Sequence, residues 1–223
     1  EVPFPPNALA YYKLDEASGA VIDAVNGYNG TNNGATPNVA GKINTAYQFD
    51  GLVDSISMGD VLDFDYNEAL TFSVWCKLDA LTQGAFITKL EGAPNYKGYE
   101  LFHSGSGTVT FEMVNILASN RVNVRTDIIL STGNWFHLAV TKTDSAAASG
   151  IKLYLNGVSQ SLIIATDTLT ATTVNAIDFT VGARPSLSDL YIDGKIDELA
   201  IFNRALSATE ISNLYNDGAG RQI

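Results

Sequence analysis

The sequence predicts an all-β protein, a two-sheet antiparallel β-sandwich closed by one short C-terminal helix. Three observations carry that expectation. Short apolar segments recur along the chain, separated by Gly, Asn, Asp and Thr. In the longest, Leu70, Phe72, Val74, Cys76 and Leu78 alternate with Thr71, Ser73, Trp75 and Lys77, the period of two of a strand with two distinct faces. Only one segment, near the C-terminus, joins a helical apolar stripe to start and stop signals.

In chain order, Ala10 to Leu14 reads as the first strand. Residues 15–45 are a polar, glycine-rich excursion of the kind that is functional or pinned by other contacts, and Val21, Ile22, Val25 and Tyr28 are placed to anchor it. Strands follow at Ala46 to Phe49, Ser55 to Met58, Leu70 to Leu78, Ala85 to Lys89, Tyr99 to His103 and Thr108 to Val114. Further ones are expected at Arg121 to Arg125, Trp135 to Lys142, Ile151 to Leu155, Ile177 to Val181 and Gly194 to Phe202. Asp144 to Gly150 reads as a hairpin tip, and Asn156-Gly157 as a two-residue turn whose central positions both need positive φ.

The closing stretch Gly194 to Gly218 is the most informative. Ile196 and Leu199 are three apart, so the alternation breaks at Asp197 and Glu198, the mark of a bulge that turns a carboxylate and nearby carbonyls toward one point. Ser207 and Glu210 form a capping box, Ile211, Leu214 and Tyr215 line one stripe of a helix from Ala208 to Asn216, and Gly218 is the expected left-handed stop.

With 223 residues and no linker between halves, the chain suits one sandwich over residues 8–218, with an irregular leader at 1–7 and a tail at 219–223. A hydrophobic share of 46% provides a sizeable core. Thirteen Lys and Arg against 24 Asp and Glu give a net charge of −11, which argues against nucleic acid or an anionic membrane surface as partner. No apolar run approaches the roughly 18 residues of a membrane span, and no leader of signal type is present. The start at Glu1 without Met suggests a mature form or a module of a longer chain. Cys76, the one cysteine, excludes an internal disulfide and reads as a core thiol.

Read together, YYKLDEASG (Tyr11 to Gly19) with Asp23 and Asn26-Gly27, AYQFDG (Ala46 to Gly51), LTFSVWCKL (Leu70 to Leu78), WFHLAV (Trp135 to Val140), GIKLYLNGV (Gly150 to Val158), FTVGAR (Phe179 to Arg184) and GKIDELAIFNRALSATEISNLY (Gly194 to Tyr215) resemble the laminin-G-like, concanavalin-A-type jelly-roll family, including its pentraxin-related branch. The resemblance implies two face-to-face antiparallel sheets with the first and last strands adjacent. It implies no single activity, since the fold hosts lectins, adhesins, glycosidases and spacers. Domains of this kind often hold one structural calcium between the N-terminal loop and the C-terminal strand. The resemblance therefore implies Asp23, Asn26 and Asp197 as ligands, completed by backbone carbonyls, with Asp15, Glu16 and Asp50 as weaker candidates. The alternative is that these acids form turns by accepting from backbone amides.

The E-x-D-x-x-E pair of the fold's known hydrolases is absent, and Asp193, Asp197 and Glu198 do not reproduce it, so no enzyme is expected. Ser104 and Ser106 have no elbow or partner histidine, and His137 reads as a packed imidazole. Carbohydrate recognition needs aromatic rings and planar polar groups. The candidates are Tyr96, Tyr99, His103, Arg125, Arg184 and Tyr191, with Trp75 and Trp135 assigned to the core. The leading expectation is a non-catalytic module that binds glycan or another cell-surface ligand within a larger secreted, surface or virion tail protein, next to other domains of that parent. A structural or protein-interaction spacer is the alternative, and a glycoside hydrolase a remote one.

Overall fold

In a computed structural model of the protein, residues 7–222 are described. Six residues of the expected leader and the last residue of the expected tail therefore lie outside the described residues. The strands are β1 (Ala10–Tyr12), β2 (Thr31–Asn33), β3 (Thr36–Ala40), β4 (Thr45–Asp50), β5 (Ser55–Ser57), β6 (Leu70–Leu78), β7 (Gly84–Leu90) and β8 (Gly98–His103). They continue as β9 (Thr108–Ile116), β10 (Asn120–Ile129), β11 (Phe136–Lys142), β12 (Ile151–Leu155), β13 (Val158–Ser159), β14 (Leu162–Asp167), β15 (Thr180–Val181) and β16 (Asp193–Phe202). Helix α1 spans Ala208–Tyr215.

Two eight-stranded antiparallel sheets pack face to face. The first runs β13-β12-β11-β6-β16-β4-β3, with β1 also on β16, so the first and last strands are adjacent as the resemblance implies. The second runs β14-β10-β9-β8-β7-β15-β5-β2. Alternation explains what each face carries. In the second sheet Ile56, Val181, Ile87, Leu101, Phe111 and Val124 stand opposite one another across successive strands and point into the core. Phe72, Val74, Leu138, Val140, Ile196 and Ile201 of the first sheet join the same cluster. Each such side chain removed from water contributes about 1.5–3 kcal/mol before chain entropy is counted. Cys76 is buried among them, a core thiol as expected.

The outer face of the first sheet is also covered. Tyr11, Tyr154, Ala200, Phe202 and Leu206 form a second cluster with Ile211 and Leu214 of α1, which is why the outward residues Thr71, Ser73 and Trp75 of β6 are buried too. Trp75 stacks on Tyr215 with ring centroids 5.7 Å apart, and the Lys42 ammonium lies 4.6 Å from its ring centre. Trp135 departs from expectation: it precedes β11 and is only half-buried. The strands β2, β3, β13 and β14, which the alternation did not reveal, are edge segments, the first two polar and the last an apolar run, Leu162 to Ala165, that stays largely exposed and shows no alternation. The expected strand Ile177 to Val181 shrinks to its last two residues.

Helix α1 begins as its capping box requires. The Glu210 amide donates to Ser207 Oγ at 3.3 Å, and the Ser207 amide donates to Glu210 Oε2 at 2.8 Å. The stop comes earlier than expected, since Asn216 (φ 50°) is already left-handed, ahead of Gly218. At the Asn156-Gly157 turn both residues have positive φ, and a Cβ on Gly157 would come within 3.0 Å of the Tyr215 ring. That glycine lets the hairpin pass beneath the helix. Residues 219–222 are bound to the domain rather than trailing from it, because Gln222 Nε2 donates to both Asp15 and Glu198. Ser207→Ala is expected to lower unfolding free energy by about 1 kcal/mol with an unchanged urea m-value; an equally stable variant would show that the box contributes nothing here.

Candidate functional site

The break in the last strand is a bulge. The register of β16 against β6 shifts between Asp197 and Ala200, and Glu198 takes φ 51°. On its other edge β16 pairs with β4 up to Ile196 and with β1 from Leu199, so the bulge falls where one neighbour ends and the next begins. Two carboxylates enter that gap. Asp197 is fully buried; its Oδ2 accepts from the amides of Lys42 (2.8 Å) and Ile43 (3.0 Å), while its Oδ1 has no partner. Glu198 accepts from the Tyr11 hydroxyl and from Gln222 Nε2. Asp15 stands close by, accepting from the Thr45 amide and from Asn44 and Gln222 side chains. Burial pushes the Asp197 carboxyl up to about 8 against its two amides, with Glu198 and Asp15 adding to the rise; burial likewise lifts Glu198 to about 7.

Asp23 sits elsewhere and does other work. Its Oδ1 accepts from the amides of Tyr11 (2.9 Å) and Val25 (3.0 Å), its Oδ2 from those of Asn26 and Tyr28 (both 3.1 Å), and Asn26 Nδ2 donates to the Leu9 carbonyl. Four N–H groups around one carboxylate leave it no lone pair for a cation. The set Asp23, Asn26 and Asp197 therefore does not fit one shared ion: the first two organise the loop through amides, and only Asp197 Oδ1 is a buried oxygen that a cation could engage. Among the described residues no three His, Cys, Asp or Glu side chains form a metal-holding group. Glu16 accepts from the Ile22 amide, and Asp50 from those of Leu52, Val53 and Asp54, so both also act as turn-formers.

The other concentration of polar groups lies on the outer face of the second sheet. Ser57, Thr180, Thr88, Glu100, Glu112 and Asn123 stand opposite one another across β5, β15, β7, β8, β9 and β10. This polar row backs directly onto the apolar row of the core. Its middle is capped by Arg184, whose Nη1 donates to both oxygens of Glu100 (3.1 and 3.3 Å) while Nε and Nη2 hold the Asp189 carboxylate at 2.8 Å. Burial pushes the Glu100 carboxyl up, Arg184 pulls it down, and Glu112 pushes it up again. Glu100 is 0% exposed. Beside this clamp the row opens into a groove of about 400 Å³, lined by Asn33, Ser55, Ser57, Thr88, Leu90, Ala176, Ile177, Asp178, Thr180, Pro185 and Ser186. Ser57 Oγ donates to Asp178 at 2.6 Å. Thr88 is 2% exposed and its Oγ1 has no partner.

The six residues expected to hold a ligand are not brought together. Tyr99, 1% exposed, points into the core and donates its hydroxyl to the Leu62 carbonyl; His103 is buried against Phe86. Both are corrected from ligand to packing residues, because β8 directs odd-numbered side chains inward. Tyr96 is half-buried in the loop before β8, Arg125 is exposed on β10, and Tyr191 is half-buried before β16. Arg184 alone borders the groove, as the clamp beside its wall. Sequence reasoning missed Thr88, Glu100 and Asp178. Alternation in β7 and β8 marks Thr88 and Glu100 as outward-facing, but only the strand register joins them.

His137 remains a packed imidazole. Its Nε2 lies 2.8 Å from Ser73 Oγ, its Nδ1 has no protein partner, and the adjoining space of about 10 Å³ beneath α1 admits a water at most. Burial holds it neutral down to about pH 3. The unfolded imidazole protonates near 6.5, so the unfolded state binds the extra proton between those values. Stability is expected to be level above pH 6.5 on this account and to fall by up to ~1.4 kcal/mol per pH unit below it. Denaturation series at several pH values should show His137→Gln with a shallower acid slope, by about one proton; an unchanged slope would contradict the assignment.

Residues 49–212 match the Laminin_G_3 family, described as the concanavalin A-like lectin/glucanases superfamily. No curated protein sequence matches the chain. Among solved structures, domain 4 of AbnA, a GH43 extracellular arabinanase from Geobacillus stearothermophilus in complex with arabinotriose, superposes with a TM-score of 0.68 at 24% identity, covering 93% of this chain and 97% of that one. The binding domain of Paraclostridial Mosquitocidal Protein 1 gives 0.68 at 15% identity, over 95% of this chain and 52% of that one. Trypanosoma rangeli sialidase in complex with sialic acid gives 0.69 at 14% identity, over 99% of this chain but 35% of that one. At these identities the likeness is one of fold. The family match spans more than half of the chain and agrees with the two-sheet jelly roll, so the chain belongs to the concanavalin A-like lectin/glucanases superfamily.

Proposed function

We propose that the protein is a non-catalytic recognition module that binds a glycan in the groove on the outer face of the second sheet. One observation carries this reading: Thr88, whose buried Oγ1 has no partner, is part of the wall of a hydroxyl-lined groove of about 400 Å³. A hydroxyl left unpaired costs about 1–3 kcal/mol, which a sugar hydroxyl at that point offsets. The arabinanase domain that shares the fold was solved with arabinotriose bound, and the mosquitocidal protein domain is itself a binding domain. Glu100 and Glu112, the facing carboxylates of this surface, sit against each other with Arg184 over Glu100, an arrangement without the open separation of about 5–9 Å that glycoside hydrolysis needs. The arabinanase that carries a domain of this fold is extracellular, which supports a role for this chain outside the cell.

A second reading, a structural or protein-interaction spacer, is favoured by a specific observation: among the described residues no aromatic ring lines the groove, and Tyr99 is buried away from it. A glycan array separates the two. Specific signals that weaken at least about tenfold in Thr88→Val with unchanged melting support recognition, whereas an array silent for the folded wild type selects the spacer.

We also propose that any structural calcium engages Asp197 rather than Asp23. If so, the melting temperature should fall with chelator and recover with calcium in wild type and in Asp23→Asn, which is less stable throughout, and should not respond in Asp197→Asn. A wild type indifferent to chelator, or an Asp197→Asn variant that keeps the full response, overturns this assignment.

A further inference from the structure

We infer that the groove selects uncharged, hydroxyl-rich glycans against acidic ones, and that Asp178 is the selecting residue. This rests on the glycan reading above and goes beyond it to the class of sugar. The argument is one of charge and donor balance. Among the described residues Asp178 is the single charged side chain lining the groove; the remaining polar side chains there are hydroxyls and the Asn33 amide, each able to meet a sugar hydroxyl as donor or acceptor. Its carboxylate already accepts from Ser57 and retains lone pairs, open to solvent, that a ligand donor can take over from water. A sugar hydroxyl supplies such a donor. A sialate, uronate or sulfate presents acceptors carrying the same sign of charge.

A cation is the strongest partner an acidic sugar could find, and the two whose own partners or chain neighbours line the groove, Lys89 and Arg184, are spent. Arg184 is committed through Nη1 to Glu100 and through Nε and Nη2 to Asp189. Lys89 Nζ, buried behind the groove, donates to Asp60 at 2.6 Å and to the Ile177 carbonyl, with Asp63 at 3.4 Å. Each cation is outnumbered by its own carboxylates. The net charge of −11 adds a long-range repulsion of the same sign. Asp178 is exposed to solvent, so the discrimination it exerts is moderate and weakened by salt.

The test is an array of matched pairs, each a neutral oligosaccharide beside its sialylated, uronate-bearing or sulfated form, read at low and at physiological salt. Wild type is expected to bind neutral members at least about fivefold more strongly than their acidic partners, with a smaller ratio at higher salt. Asp178→Asn, checked for unchanged melting, should bring the ratio toward one, whereas Thr88→Val should weaken both members together and leave the ratio alone. Acidic members bound as strongly as neutral ones by wild type, or a ratio unmoved in Asp178→Asn, overturns the selectivity while leaving glycan recognition standing. A silent array overturns both.

Discussion

Strand β16 must satisfy two different neighbours along one edge, β4 before Ile196 and β1 after Leu199, while β6 runs along the other. Two strand ends cannot meet without leaving backbone groups unpaired, and the bulge at Asp197 and Glu198 is where this chain absorbs the mismatch. The carboxylates released there bind what the junction exposes: Asp197 takes the amides of the turn before β4, and Glu198 takes Tyr11 of β1 and Gln222 beyond the helix. Both acids are costly to bury. Hydrogen bonds offset only part of that cost, since burial still raises both carboxyls, and Asp197 Oδ1 has no partner at all, which is why the proposed cation is assigned there and not to the Asp23 loop.

The two outer faces of the sandwich have opposite fates. On the first sheet, α1, Trp75 and Tyr215 cover the centre and convert an outward face into a second core. On the second, the row from Ser57 to Asn123 stays polar, and Arg184 covers its middle but not its β15 end. The proposed recognition therefore falls to the second sheet, whose outer face is left partly open next to the unpartnered Thr88 hydroxyl.

Much of this architecture was legible in the sequence, for physical reasons that also mark where legibility ends. Alternation in Leu70–Leu78 and the turn at Asn156-Gly157 are local, so β6 and β12 emerge with the expected bounds. The bulge announced itself as a spacing of three between Ile196 and Leu199. Edge strands such as β2 and β14 bury little, and neither the polar run of one nor the apolar run of the other alternates. The candidate site was the least visible part, because Thr88, Thr180 and Ser57 become neighbours only through pairing between distant strands. Aromatic residues misled for the complementary reason. A tyrosine in a strand goes where the register sends it, and Tyr99 was sent inward.

The central place of β16 also has a consequence in time. It sits between β6 and β4 and alone pairs with β1, so without it the first sheet is three separate pieces, yet among the described strands it is the last to be synthesised. At ribosomal speeds of about 5–20 residues per second, the free edge of β6 waits on the order of ten seconds for its partner. The Tyr11–Glu198 bond, spanning 187 positions, cannot close before then. Completion of this sheet thus waits for the synthesis of β16, and the nascent chain must shield an apolar strand edge throughout that interval.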